Sequence, residues 1–256
     1  MDEKLKAFER LLNIMDDLRA KCPWDKQQTF GSLRHLTIEE VYELGDSILE
    51  NDPENIKKEL GDILLHIIFY AKIASEKNMF DITDVINREC EKLIHRHPHI
   101  YGDKKVQSAE DVSKNWEQLK LKEGNKSVLE GVPASLPSMV KAMRIQEKAR
   151  SSGFDWETKD QVWEKVLEEL NEFKNEAEKG NQDKIKNEFG DLIFSLINYA
   201  RFIDVNPEEA LERTNIKFIK RFKFLEKSAA ENGKKLADMT LTEMDKIWDE
   251  AKAKGM

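Results

Sequence analysis

Four acidic residues in the second half of the chain stand in two pairs at three-residue spacing. Glu169 and Glu172 form one pair, and Glu188 and Asp191 form the other. Residues three apart share a helix face, so each pair presents its carboxylates together. Four carboxylates gathered beside an apolar core repel one another unless a cation joins them, and oxygen ligands favour a hard ion. The pattern predicts a site for Mg²⁺, in which Mn²⁺ can substitute, of the kind that also binds substrate phosphates.

The acidic pattern occurs once in each half of the chain. Segment 39–43, Glu-Glu-Val-Tyr-Glu, recurs at 168–172 as Glu-Glu-Leu-Asn-Glu, and segment 59–62 recurs at 188–191. A single pair of this kind is typical of a solvated helix face. A solvated face has little reason to keep its acids at the same spacing in both halves while Tyr42 is replaced by Asn171, so the repeat favours a site. The matching acids of the first half are Glu40, Glu43, Glu59 and Asp62.

The elements that must position these acids are helices. The chain is 39% hydrophobic and 36% charged with only 11 Gly and 6 Pro, a composition typical of a soluble helical protein. Apolar residues recur at three- and four-residue steps from Leu5 to Leu18, and Asp52 followed by Pro53 is a typical helix start. We therefore expect an all-α protein of two tandem helical-bundle units, each with four or five antiparallel helices.

Turn-forming residues accumulate between the two copies of the pattern. Gly124, Asn125, Gly131, Pro133 and Pro137 fall within one short stretch, where they disfavour a continuous helix. We therefore expect a first unit at residues 1–123, a linker at 124–137 and a second unit at 138–256.

Charge and hydropathy argue against several classes of protein. The formal net charge is −8, whereas nucleic-acid binders need an excess of basic residues to displace counterions. Residues 1–12 alternate charged and apolar side chains, unlike a signal peptide, and the most apolar run, 63–71, is about half the length that spans a bilayer. Cys22 and Cys90 lack the spacing of a metal site. We expect a cytoplasmic protein with free thiols and with neither membrane nor nucleic-acid partners.

Two other uses of paired acidic helices remain open. Di-iron bundles usually need a His three residues after a ligating Glu on two helices, and neither half contains that pattern. His66 follows Asp62 by four residues, but Ser195 stands at the corresponding position of the second half. The other alternative is a non-enzymatic helical scaffold that dimerises or recruits a partner. Release of pyrophosphate from a nucleotide in magnesium would separate an enzyme from such a scaffold.

The order EExxE and then ExxD, with Gly61 or Gly190 just before the Asp, resembles the signature of the all-α nucleotide pyrophosphohydrolases. Among these the chain is most similar to the MazG family. Further similar motifs are Cys-Pro-Trp-Asp at 22–25, Gln-Thr-Phe at 28–30, Arg-His-Pro-His at 96–99 and Ser-Gly-Phe-Asp-Trp at 152–156. These motifs extend over nearly the whole chain, so the resemblance is to the two-unit members of the family.

The resemblance implies an activity and a location for it. Members of the family cut nucleoside triphosphates between the α and β phosphates, giving a monophosphate and pyrophosphate, and catalysis is credited to the C-terminal unit. The implied metal ligands of this chain are Glu169, Glu172, Glu188 and Asp191. Glu168 is a candidate general base or outer contact, with a surface charge as the equal alternative. Relatives complete their bundles by pairing chains, so we expect a homodimer with a role in nucleotide-pool housekeeping.

The nucleotide-binding residues implied by the resemblance follow the acidic segments. Polyphosphate contacts correspond to Lys217 and Arg221, with Asn215 beside them, and an aromatic contact corresponds to Trp248. Because every base has a π-face, stacking on this ring suits broad base specificity. The matching residues of the first unit are Lys92, Arg96 and Trp116. Cys90 stands where the second unit has Asn215, so the first unit is expected to hold a second site or the remnant of one.

Overall fold

The computed structural model describes residues 2–108, 111–112, 115–116, 119 and 127–256. These residues form helices, turns and irregular segments without a β-strand, which confirms the all-α prediction. The chain divides into two compact units, Met1–Ser108 and Ala109–Met256. The expected linker, 124–137, lies later and begins outside the described residues, so the limits 1–123 and 138–256 stay a prediction. Among the helices that are described, none is long and apolar enough to cross a membrane.

The first unit consists of helices joined by short turns. Their bounds are Glu3–Lys21 (α1), Pro23–Gln27 (α2), Phe30–Leu49 (α3), Pro53–Glu76 (α4), Ile82–Arg96 (α5) and Pro98–Tyr101 (α6). The first N–H groups of a helix have no partner within it, and side chains at the preceding residue satisfy them. Thr29 and Asp81 each form a capping box, and Asp52 accepts from two N–H groups at the start of α4. The helix start at Asp52 and Pro53 is therefore confirmed.

The core of the first unit lies where α1, α3 and α4 meet. Five residues form it: Met15, Leu33, Ile68, Phe69 and Ile73. Each is at most 2% exposed, and removal of apolar area from water is the main stabilising contribution to such a core. The apolar repeat predicted from Leu5 to Leu18 is confirmed at Phe8, Leu11 and Leu12, which pack against these residues, whereas Leu5 is 59% exposed.

The second unit follows a similar plan. Its helices are Ser138–Ser151 (α7), Lys159–Lys179 (α8), Gln182–Phe202 (α9), Pro207–Glu231 (α10) and Leu241–Ala253 (α11), with a 3₁₀ turn at Leu236–Asp238. α8 ends at Gly180, whose φ of 77° lies in the left-handed region that favours glycine. Asn181 then caps α9. Two residues therefore join α8 to α9, which makes the two helices an antiparallel hairpin.

Aromatic pairs fix the register of the α8–α9 hairpin. The rings of Trp163 and Tyr199 lie 4.8 Å apart between centroids, and those of Phe173 and Phe189 lie 5.5 Å apart. The acidic segment of α8 lies between these two contacts and therefore faces the acidic segment of α9. In the first unit α3 and α4 pack together in the same way. Each hairpin thus places its two acidic segments side by side.

Candidate metal centre

Carboxylates from α8 and α9 converge in the second unit. One oxygen each from Glu169, Glu172 and Glu188 lies within 4.8 Å of the others. Glu169 is buried at 7% exposure, Glu188 is half-buried and Glu172 is exposed. This cluster, which we call the α8–α9 cluster, therefore has an inner carboxylate held in the fold and outer carboxylates open to a ligand.

Asp191 completes the charge of the α8–α9 cluster without belonging to its closest group of oxygens. Burial raises the pKa of Glu188 above its ordinary value, and the charges of Glu172 and Asp191 raise it further. A carboxyl group whose pKa is raised in this way is destabilised as an anion by its neighbours. A bound cation removes that repulsion, so the electrostatics of the cluster favour a positive ligand.

Lys165 already places a positive charge on the α8–α9 cluster, and sequence reasoning missed it. Its Nζ lies 2.7 Å from Oε1 of Glu169 and 3.0 Å from Oε1 of Glu168. Hydrogen bonds to Glu169 and then to Glu168 raise the pKa of the Lys165 ammonium. The spacing is compatible with this contact, since a Lys four residues before a Glu shares its helix face, but many surface lysines have the same spacing. Glu168, with a side chain 57% exposed, sits at the solvent side of this contact.

The first unit has a corresponding cluster on α3 and α4. One oxygen each from Glu40, Glu43 and Glu59 lies within 4.8 Å of the others. Lys58 supplies the ammonium here, with Nζ 2.9 Å from Glu59 and 4.0 Å from Asp62. Burial raises the pKa of Glu40, and the charge of Asp62 raises it further. Oε2 of Glu59 is buried and has no hydrogen-bond partner, which leaves one acceptor of this cluster unsatisfied.

The donor sets of both clusters fit a hard divalent cation. Within the described residues the groups close enough to share an ion consist of Glu residues alone, and oxygen ligands are those that Mg²⁺ and Mn²⁺ prefer. Three carboxylates whose oxygens lie within 4.8 Å of one another could therefore hold one such ion. His66 lies outside these groups, and Ser195 donates to the carbonyl of Leu192. Neither supports a di-iron centre.

The expected nucleotide-binding residues lie on α10 and α11. Arg221 donates to the carbonyl of Met256 at 2.7 Å and lies over the ring of Trp248. Lys217 and Asn215 are exposed on α10, and Asn215 donates to Glu212. The structure thus brings Arg221 and Trp248 together. Their described contacts join α10 to α11 rather than to the α8–α9 cluster, so their contact with substrate stays a prediction.

The residues of the first unit that correspond to these form a less complete set. Lys92 forms an ion pair with Glu89, one turn before it on α5. Arg96 is the last residue of α5. Cys90 is an exposed free thiol, and Trp116 lies beyond the division after Ser108. A second nucleotide site in this unit stays a prediction.

Comparison with known proteins relates both clusters to one sequence family. A family model described as the MazG nucleotide pyrophosphohydrolase domain matches residues 28–101 and again residues 157–225. The two matches confirm the tandem repeat, and each contains one cluster.

Relatives match the chain along almost its whole length. A protein of Escherichia coli strain K12 named nucleoside triphosphate pyrophosphohydrolase is 37% identical, covering 97% of this chain and 98% of its own. A Thermotoga maritima protein named nucleoside triphosphate pyrophosphohydrolase/pyrophosphatase MazG is 42% identical, covering 98% of each. The uncharacterized protein YabN of Bacillus subtilis is 46% identical over 98% of this chain but only 53% of its own.

Proposed function

This chain belongs to the MazG nucleotide pyrophosphohydrolase family, and from that premise we propose that it hydrolyses nucleoside triphosphates between the α and β phosphates. The products are a nucleoside monophosphate and pyrophosphate, and the role is nucleotide-pool housekeeping with broad base specificity in the cytoplasm. The observation that carries the proposal is the convergence of Glu169, Glu172 and Glu188 within 4.8 Å. It supports a metal-dependent phosphate chemistry rather than a scaffold, because a scaffold gains nothing from gathered like charges.

The metal of the proposed reaction is Mg²⁺, held by Glu169, Glu172, Glu188 and Asp191, with Mn²⁺ as a substitute. When bound, it supplies charge stabilisation at the phosphate oxygens. Glu168, whose side chain is solvent-accessible and next to the ligand pair, is the proposed acceptor of a proton from the attacking water. Lys217 and Arg221 neutralise the polyphosphate, with Asn215 and Trp248 as further contacts to the nucleotide. We place turnover in the second unit and treat the first as a second site or its remnant.

A homodimer is part of this proposal. Of the apolar residues that follow Asp191 on α9, Ile197 is buried, whereas Ile193 and Leu196 are 36% and 43% exposed in a single chain. Such a contiguous apolar face is expected to be covered by another copy of the hairpin. Light scattering on the purified protein should give twice the chain mass, and a monomer at micromolar concentration would contradict the pairing.

The activity is tested with the four ribonucleoside and four deoxyribonucleoside triphosphates, each in magnesium, in manganese and in excess chelator. Chromatography should find monophosphate and pyrophosphate in equal amounts, and chelator should remove the activity. Release of orthophosphate with a diphosphate would contradict the proposed bond. No turnover with any nucleotide, and no rise in melting temperature with nucleotide and magnesium, would favour the helical scaffold.

A further inference from the structure

A cavity of about 560 Å³ lies in the second unit between α7, α9 and the segment that joins α7 to α8. Its walls are mainly apolar: Ile145 and Ala149 from α7, Phe194 from α9, and Phe154 and Trp156 from the joining segment. The size is within the range of small-molecule sites, which are typically apolar with a few polar groups. The Ser-Gly-Phe-Asp-Trp motif at 152–156, to which the proposed reaction gives no role, supplies two of the three aromatic rings.

The position of the cavity relates it to the α8–α9 cluster. Asp191, Phe194 and Asn198 follow one another on α9 at steps of three and four residues, so they lie on one face of the helix. Phe194 and Asn198 line the cavity, and three residues of helix, a rise of about 4.5 Å, separate Asp191 from Phe194. A ligand that is held at the cluster by its phosphates therefore has its other end within reach of the cavity.

Two amide side chains of the cavity wall have unused hydrogen-bonding capacity. Gln146 donates through Nε2 to the carbonyl of Phe194 at 2.8 Å, while its Oε1 is buried and without a partner. Asn198 accepts through Oδ1 from Arg201 at 2.8 Å, and the described residues provide no partner for its Nδ2. Arg201 is itself held by Asp155 of the joining segment at 2.9 Å. Both side chains line the cavity, and the unmet acceptor of Gln146 is costly while it stays buried without a partner.

We propose that this cavity binds the nucleobase of the substrate, an inference that rests on the proposed triphosphate hydrolysis. Aromatic rings stack on any base, and bases present a hydrogen-bond donor and an acceptor side by side on their edges. The amide side chains of Gln146 and Asn198 therefore allow hydrogen bonds to different bases without strong selection of one base. Trp248 is then a contact outside the base site, because its ring already packs against Phe218 with centroids 5.0 Å apart.

The test compares two ligands that share a triphosphate and differ in the presence of a base. Titration calorimetry in magnesium measures the binding of inorganic tripolyphosphate and of α,β-methylene-ATP to the full chain and to Ala149→Leu, which fills the cavity. We expect Ala149→Leu to raise the Kd of the nucleotide analogue at least tenfold and to leave the Kd of tripolyphosphate within twofold of the wild-type value. Ala149→Ser, which keeps the cavity open, is the matched control and should bind both ligands as the wild type does.

Gln146→Leu provides an independent variant in case Ala149→Leu does not fold, as judged by circular dichroism. It should also weaken the analogue and spare tripolyphosphate. Unchanged analogue binding by the folded cavity variants, while the wild type binds both ligands, overturns the base site and leaves the proposed activity standing. Failure of the wild type to bind either ligand overturns both. A change of chain mass in solution caused by Ala149→Leu would show that the cavity belongs to a contact between copies and would likewise overturn the base site.

Discussion

The ammonium of Lys165 lies 2.7 Å from a carboxylate oxygen of Glu169, four residues later on α8. Glu169 is only 7% exposed, so this contact neutralises a carboxylate that would otherwise be charged and poorly hydrated. The hydrogen bond to Glu169 also raises the pKa of Lys165 above its ordinary value. A lysine therefore already contacts one oxygen of the inner carboxylate of the cluster.

Replacement of Lys165 by Met should make the protein depend more on magnesium. Without the ammonium, Glu169 has no positive partner until metal binds, so the melting temperature in chelator should fall and the gain on adding magnesium should grow. The rise in melting temperature on adding magnesium should exceed that of the wild type by about 2–4 °C for each kcal/mol of stability that the Lys165–Glu169 contact contributes. Lys227→Met, which removes an exposed ammonium from Glu231 on α10, serves as the control. An equal gain in both variants would show that Lys165 has no part in the cluster.

Removal of one outer carboxylate from each unit in turn should show which unit carries the catalytic activity. Glu172→Ala should lower kcat/KM for pyrophosphate release by at least about 100-fold, since even residues behind metal ligands commonly contribute 10–100-fold. Glu43→Ala, the same change at the matching position of the first unit, should leave most of the turnover. Steady-state kinetics with one nucleotide at saturating magnesium measures both. The reverse pattern would move catalysis to the first unit.

The fold could be predicted from the sequence further than the site. The spacing of apolar residues predicts the stripe around Met15 because burial of one helix face imposes that spacing. Asp52 and Pro53 predict a helix start because each acts on the adjacent backbone. Spacing and the internal repeat also indicated that Glu169, Glu172, Glu188 and Asp191 belong together, and the structure places oxygens of the first three close to one another; their part in catalysis stays a prediction. Spacing could not select Lys165 among the many lysines near acids on surface helices, because the choice depends on side-chain direction.

Long-range contacts were beyond sequence reasoning for a different reason. Arg19 at the end of α1 donates to Glu76 at the end of α4 and to the carbonyls of Asp25 and Gln28 in the α2 segment. Nothing in the local pattern indicates a partner 57 residues away. The same holds for Gln146 and the carbonyl of Phe194, whose contact depends on how α7 packs against α9.

Arg19→Met should destabilise the first unit by about 2 kcal/mol, the typical cost of losing hydrogen bonds to a charged group. The Arg19 side chain is 9% exposed, so water does not replace it easily. Urea denaturation followed by circular dichroism measures the loss. Lys21→Met removes an exposed ion pair with Asp17, four residues earlier on α1, and should change stability by less than about 0.5 kcal/mol. Similar losses for both variants would contradict the anchoring role of Arg19.

Glu243 should make the stability of the C-terminal helix depend on pH. Its carboxylate pairs with Lys234 and accepts from the N–H and hydroxyl of Thr240, which closes a capping box at the start of α11. The bond from Lys234 and then those from Thr240 hold the pKa of Glu243 at about 2, below its ordinary 4.5. A depressed pKa in the folded state contributes stability that is fully present above the unfolded value and is lost as the pH falls toward the folded one.

The stability difference between wild type and Glu243→Gln should therefore be constant from neutral pH down to about 5 and should shrink between about 4.5 and 2. Urea denaturation at a series of pH values, or the exchange rates of α11 amides compared between the two proteins, measures it. Glu250→Gln on the same helix is the control, because the carboxylate of Glu250 has no ion-pair partner among the described residues, and its difference should stay small at every pH. A Glu243→Gln difference that persists unchanged below pH 3 would mean that the gain comes from packing of the side chain and not from its charge.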